Sequence, residues 1–299
     1  MIRFRTLGVV VAAAAAMALT LSGCGSDNGN GNAGGDQTST AAASGGGGGG
    51  GGDSIVDKAK SSGKLTIGVK FDQPGLGLKK PDGSFAGFDI DVARYIAKEL
   101  GVEESGITFK ETPSAQRETA LGNHEVDMIV ATYSITDKRK EAVTFAGPYF
   151  IAHQDLLVKK DSDITSPDKL ANKLLCSVTG STSAQKVKDK YPDVQLKEYG
   201  GYSDCVNALK SGAIDAVTTD DVILAGYAAQ YPGEFKLVGE PFSDENYGVG
   251  LWKGDTKAQS AVNAAIEKMQ SDGSWKKFLD DNVGPSGYEI PDPPEITEK

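Results

Sequence analysis

Histidine is nearly missing from this chain of 299 residues, which carries only His124 and His153. Neither has a second histidine or a cysteine at metal-ligand spacing, so no metal centre and no cofactor is expected. Basic charge is also in deficit, with 31 Lys and Arg against 41 Asp and Glu and a net charge of −10. Without a basic patch to neutralise phosphates, nucleic-acid binding is disfavoured, while acidity alone identifies no partner. The apolar run Leu7 to Leu21 holds about fifteen residues dominated by small alanines, short of the roughly 20 that a membrane-spanning helix needs. A phosphate-cradling loop is missing too, because the glycines Gly45 to Gly52 follow no strand and precede no Lys-Ser or Lys-Thr pair.

What is present begins at the N-terminus. Arg3 and Arg5, the apolar run and the small residues ahead of Cys24 have the order of a secretory signal peptide. Leu21-Ser22-Gly23-Cys24 resembles the bacterial lipobox. Residues 1–23 are therefore expected to be removed, leaving Cys24 first and diacylated as a lipid anchor on the extracytoplasmic face. Loss of Arg3 and Arg5 takes the net charge from −10 to −12. Residues 24–53, made of Gly, Asn, Ser, Thr and Ala with eight consecutive glycines, cannot bury a core and are expected to act as a flexible leash. Such a leash would have a root-mean-square span of roughly 30 Å.

Two cysteines, Cys176 and Cys205, remain in the globular part, which starts at Ser54. An even pair outside the membrane suggests a disulfide, and closing this loop would be worth about 3.5 kcal/mol. Two buried free thiols are the alternative.

Strands alternate with helices along the rest of the chain. Leu65 to Val69, Ile107 to Lys110 and Met128 to Ala131 read as strands, and Phe88 to Leu100 as a helix with Ile90, Ala93, Ala97 and Leu100 on one stripe. The pattern restarts beyond His153 with strand Leu174 to Val178, helix Ser183 to Lys190, strand Val194 to Tyr199, helix Ser203 to Ser211, strand Ala216 to Thr218 and a helix from Asp221. Alternation of this kind predicts parallel sheets. An internal repeat accompanies the restart: Ala120-Leu121 precedes Asp127 at the same spacing as Ala208-Leu209 precedes Asp215. Five residues past each aspartate lie Thr132 and Asp220, both at the C-terminal edge of a strand, where open parallel sheets bind ligands.

Gly87-Phe88-Asp89-Ile90-Asp91-Val92-Ala93, the segment from Val126-Asp127 through Ser134, Thr136 and Arg139 to Phe145-Ala146-Gly147-Pro148-Tyr149, and Gly180-Ser181-Thr182-Ser183 resemble the polar amino-acid solute-binding proteins of ABC transporters. Lys70 to Gly77, Pro113 to Thr119 and the cysteine pair are most similar to the actinobacterial glutamate-binding lipoproteins. The resemblance implies an α/β, two-lobed, type II periplasmic-binding-protein-like fold with a ligand cleft between lobes. Lobe 1 is expected at residues 54–152 and 246–285, lobe 2 at 153–245, crossings near Ala152 and Asn246, and a mobile tail at 286–299.

The resemblance also implies roles. Arg139 would grip the ligand's α-carboxylate with help from Ser134 and Thr136, since a planar fork suits a carboxylate. Asp220 would receive the α-ammonium, joined by the Thr132 carbonyl. Gly180, Ser181, Thr182 and Ser183 precede a helix and would offer an anion seat. Lys70, Ser114 and Arg117 match positions that hold a side-chain carboxylate. Lys70 could equally be a solvated strand-end lysine, and Arg117 could cap a helix or pair with Glu118 or Glu111. Tyr202 is placed for either a ligand contact or packing, as are Phe71 and Tyr133, and Trp252 and Trp275 for structural roles.

If Lys70, Arg117, Arg139 and Asp220 all face the cleft, the site carries +2, and L-glutamate or L-aspartate complements it best. The implied function is a monomeric, membrane-tethered receptor that hands its ligand to ABC transporter permease subunits. Glutamine binding, a glutamate-sensing receptor subunit and a dehydratase-like enzyme on the same fold are the alternatives. No nucleophile with a base is apparent for the last.

Overall fold

A computed structural model describes residues 54–299. The expected signal peptide, the lipidation site Cys24 and the glycine-rich leash lie outside the described residues. Ser54 accepts a hydrogen bond from the Val56 amide and Gly63 takes φ 63°, so α1 (Ile55–Ser62) is capped at both ends. There follow β1 (Leu65–Val69), β2 (Asp72–Gln73), β3 (Gly77–Lys79), β4 (Phe85–Ala86), α2 (Phe88–Glu99), β5 (Ile107–Glu111), α3 (Arg117–Gly122), β6 (Met128–Ile129), α4 (Asp137–Lys140) and β7 (Thr144–Lys159). Next come β8 (Leu174–Val178), α5 (Thr182–Lys190), β9 (Gln195–Tyr199), α6 (Tyr202–Ser211), β10 (Ala216–Asp220), α7 (Asp221–Gln230) and β11 (Phe235–Leu237). The chain then returns through β12 (Asp244–Leu251), α8 (Thr256–Ser271) and α9 (Ser274–Asn282).

The main sheet has the strand order β5-β1-β6-β12-β7-β10-β8-β9, with β11 also on β7, and β2, β3 and β4 form a small sheet of their own. β1 pairs parallel with β5 and β6, and β8 parallel with β9 and β10, as expected. The parallel pattern is broken at β7 and β12, which run antiparallel to their neighbours. The reason is that β7 serves both halves. Its residues Thr144 to His153 pair with β12, and Gln154 onward pair with β10 and β11. The two expected crossing points lie side by side, Ala152 opposite Glu245 and Ile151 opposite Asn246.

The internal repeat has a structural meaning. Asp127 and Asp215 each accept an amide from the first two residues of the neighbouring strand, Thr66 N at 2.8 Å and Leu174 N at 2.7 Å. Their own amides return the bond to the Thr66 and Leu174 carbonyls. Each repeat aspartate thus fixes where a β-strand starts, and so where its other end delivers the residue that enters the cleft.

Phe88 anchors the core of the first half, with its ring packed on Tyr149, Phe150 and Trp275. Trp275 donates to the Tyr149 carbonyl and Trp252 to that of Val126, which gives both tryptophans the structural roles expected of them. In the second half Cys176 and Cys205 form a disulfide with Cα atoms 5.7 Å apart, joining β8 to α6 in a fully buried position. Replacing both by serine should remove about 3 kcal/mol of stability. The measurement is urea unfolding, where a midpoint equal to that of the parent would show that the bond adds nothing.

The expected mobile tail, residues 286–299, is instead packed against the body. The Gly147 carbonyl accepts both Thr297 N and Glu298 N at 3.0 Å, and Asn263 donates to the Glu298 carbonyl at 2.6 Å. Tyr288, Ile290 and Ile296 pack on the core. The abundance of Pro and Glu suggests a loose end, but three spaced apolar side chains and a free carbonyl at Gly147 provide a docking line.

Candidate functional site

The C-terminal ends of β1 and β6 and the starts of α3 and α4 bring three cations together. Lys70, one residue past β1, is 5% exposed and donates to Ser114 Oγ at 2.8 Å, which removes the solvated alternative. Burial first, and the Arg117 charge second, pull Lys70 well below the usual lysine range. Arg117, 2% exposed, donates to the carbonyls of Ala131 (3.1 Å), Thr132 (3.3 Å) and Ser114 (3.3 Å). Its guanidinium carbon lies 4.2 Å from the centre of the Tyr133 ring. Burial and Arg139 bring Arg117 down to about 10. Neither Glu111 nor Glu118 pairs with it. Glu118 turns to Arg139, Nε to Oε1 3.2 Å, and the same guanidinium donates to Ser134 O at 2.7 Å and Gly180 O at 3.0 Å.

Across the cleft stands Asp220, the last residue of β10, buried and bonded by Tyr247 Oη at 2.5 Å and Ser183 Oγ at 3.4 Å. Burial, then the charge of Glu245, push its carboxyl up to about 8. Gly180 at φ 79° turns the chain into α5, whose N-cap Ser181 accepts from Ala184 N at 2.9 Å. Thr182 Oγ1 donates to Glu245 at 2.8 Å and lies 3.3 Å from Ser134 Oγ. Thr136 caps α4, accepting from Arg139 N at 3.2 Å, so its hydroxyl supports the arginine's own backbone.

Ser114, Arg117, Thr132 and Ser134 on one side and Ser181, Thr182, Ser183 and Asp220 on the other line a single cavity, which Tyr202 and Ile223 complete. Its volume, about 10 Å³, matches one water-sized sphere. An amino acid enters only if these walls part. Lys70 lines an adjoining cavity of about 290 Å³ that shares Tyr202, together with Phe71 and Gln73. Thr136, Arg139 and Gly180 line an outer groove of about 700 Å³ that shares Ser114, Ser181 and Thr182. Tyr133 is core, and its ring is the platform under both arginines. His124 packs edge-on to Trp252, and His153 sits between Asp221 and Asp244, both away from the cleft.

The walls meet along a seam as well. Asp72 Oδ2 accepts Ser203 N (3.2 Å) and Ser203 Oγ (3.1 Å), capping α6 from the opposite half. Beside it, a Cβ on Gly226 would lie 2.2 Å from the Pro74 carbonyl oxygen, so only glycine admits this approach.

Several residues here escape sequence reasoning. Glu118 reduces the expected +2 by sitting on Arg139, and buried Asp89 stabilises the charges of Lys70 and Arg117. Desolvation holds Asp89 itself at about 6. Glu245, one residue from the crossing at Asn246, binds Thr182 and Lys186. Gln73 is fully buried with Nε2 unpartnered. A usable signal existed for Asp89, a polar residue inside the quoted motif Gly87 to Ala93. Glu245 gives none, because only the fold brings it to the site, and Glu118, expected as a partner for Arg117, is given to Arg139 instead. Among the described residues neither Lys70 nor Arg117 has a carboxylate at salt-bridge distance.

Comparison with known proteins identifies the fold and the family. Glutamate-binding protein GluB of Corynebacterium efficiens is 54% identical over 237 residues, 76% of this chain and 81% of that protein. The glutamine-binding protein GlnH of an ABC transporter of Bacillus subtilis is 43% identical over 222 residues, 73% of this chain and 81% of that protein. Among solved structures, an ancestral arginine-binding protein bound to arginine superposes with a TM-score of 0.70 at 38% identity, covering 74% of this chain and 99% of that one. The cysteine-binding protein from Campylobacter jejuni gives 0.75 at 29% identity, over 80% and 96%. These likenesses agree with a family model matched across residues 65–285, and on that ground the chain belongs to the bacterial extracellular solute-binding proteins, family 3.

Proposed function

We propose that this chain is a lipid-anchored receptor, tethered through Cys24, that captures L-glutamate, with L-aspartate as a secondary ligand, and delivers it to the permease of an ABC transporter. One observation carries the choice of ligand. Lys70 and Arg117 lie buried beside the cavity that holds Asp220, and no protein carboxylate pairs with either among the described residues. A ligand with one ammonium and two carboxylates would give Asp220 a cation, Arg139 a second carboxylate beside Glu118, and Lys70 and Arg117 one carboxylate to share. Glutamine would leave a buried cation uncompensated. The GluB relatives support the same choice, and the lobes at 54–152 with 246–285 and at 153–245 would close on the ligand by pivoting at Ala152 and Asn246.

Titration calorimetry of the chain from Ser54, stripped of copurified ligand, tests the reading against L-glutamate, L-aspartate and L-glutamine. Glutamate should bind about 100-fold more tightly than glutamine, the worth of one buried charge-assisted contact. Equal binding or a glutamine preference would overturn the assignment of Lys70 and Arg117 to a carboxylate.

A further inference from the structure

Thr132 holds the most demanding backbone conformation in the cleft. It is a β-branched residue at φ 44°, in the left-handed region that such side chains avoid. Conformations of this kind persist only where their surroundings over-determine them. The surroundings here centre on Asp89, in the first turn of α2 and 0% exposed. Its Oδ2 accepts the Thr132 N–H at 2.8 Å and its Oδ1 accepts Tyr149 Oη at 2.7 Å. Among the described residues it forms no salt bridge: its charge reaches Lys70 and Arg117 only through space, and its two oxygens are spent on these hydrogen bonds.

The turn that Asp89 holds has a direct consequence for the site. It aims the Ala131 and Thr132 carbonyls at Arg117 Nη1, at 3.1 and 3.3 Å, and places Thr132 Oγ1 3.3 Å from Gln73 Oε1. Rotating residue 132 back to an ordinary conformation would swing that peptide plane and take the guanidinium's acceptors with it. We infer that Asp89 is a positioning residue for ligand recognition: by clamping Thr132 it fixes the Arg117 fork in the pose that meets the ligand's distal carboxylate. The identity of that carboxylate rests on the glutamate reading above; the clamp does not.

The test is a double-mutant cycle on the ligand-stripped protein. Glycine reaches positive φ without steric cost, so Thr132→Gly removes the need for a clamp. Asp89→Ala should weaken glutamate binding about 30-fold or more with Thr132 in place, and less than about 5-fold in the Thr132→Gly background. Asp89→Asn keeps an acceptor for the Thr132 N–H and can donate to the Tyr149 oxygen, and should stay within about 5-fold of the parent. Thermal midpoints are read alongside. A merely structural Asp89 would lower the midpoint in both backgrounds with affinity of the folded protein unmoved, and equal affinity losses in both backgrounds would likewise overturn the inference. Should Asp89→Ala fail to fold, Asp89→Ser, too short to reach the Thr132 amide, enters the same cycle. If the parent binds glutamine rather than glutamate, the ligand reading fails, and the cycle run with glutamine still decides the clamp.

Discussion

Arg139→Ala should lose between about 30-fold and several thousand-fold in ligand affinity, the range expected when one partner of a buried, hydrogen-bonded charge pair is truncated. The guanidinium reaches Ser134 on its own side of the cleft, Gly180 on the other and the Glu118 carboxylate. Its removal therefore strikes twice. The ligand carboxylate loses its fork, and Glu118 is left beside the site as an unopposed negative charge that repels any acidic ligand. Arg139→Lys should recover little, because a point charge cannot span three acceptors in one plane. Calorimetry at neutral pH is the measurement, and binding by Arg139→Ala within about 3-fold of the parent would remove this residue from the site.

Asp220→Asn should move binding and stability in opposite directions. Binding should fall about 100-fold or more, since the proposed ammonium partner is the one carboxylate among the described residues that line the cavity. Stability follows from the proton balance. The folded carboxyl is pushed up to about 8, well above its ordinary value of 3.8, first by burial and then by Glu245. Between those values the folded state holds a proton that the unfolded state has released, so stability contributed at this position is full at low pH and drains away as pH rises toward 8. The ligand-free parent should show a melting midpoint that declines from pH 5 to pH 8. Asp220→Asn should flatten that decline and melt higher at pH 8, the usual exchange of site function for stability. Parallel pH profiles in the two proteins would show that Asp220 is not the group responsible.

How much of this was legible before folding depends on the range of the interaction concerned. The stripe Ile90, Ala93 and Ala97 is buried in α2 and Leu100 at its C-cap, as the spacing predicts, and β8 runs from Leu174 to Val178 as read. The paired aspartates, and with them Thr132 and Asp220 on facing walls, follow from local spacing alone. Strand β7 does not, because Gly147-Pro148 interrupts any alternation and its pairing partners lie far along the chain. Two-residue strands such as β2 and β4 carry too few side chains to show a period. Glu118 reads from its position as a partner for its neighbour Arg117, and only the fold, by delivering Arg139 on α4, shows which arginine it takes. The docked tail fails for the same reason: its acceptor, Gly147, lies far away in sequence.

The seam at Pro74 and Gly226 sets a limit on how far the two halves can come together. Contact there is backbone against backbone, with no side chain that could yield, so the approach ends on a hard stop. If the halves close on a ligand as proposed, a stop of that kind would keep the outline of the shut molecule independent of the cargo. Amino acids of different length would be held with different firmness inside, yet the outer face shown to a membrane partner would be the same shape each time. Under the proposed closure, selectivity would reside in how long the shut form lasts, and the partner would have only to recognise that one shape.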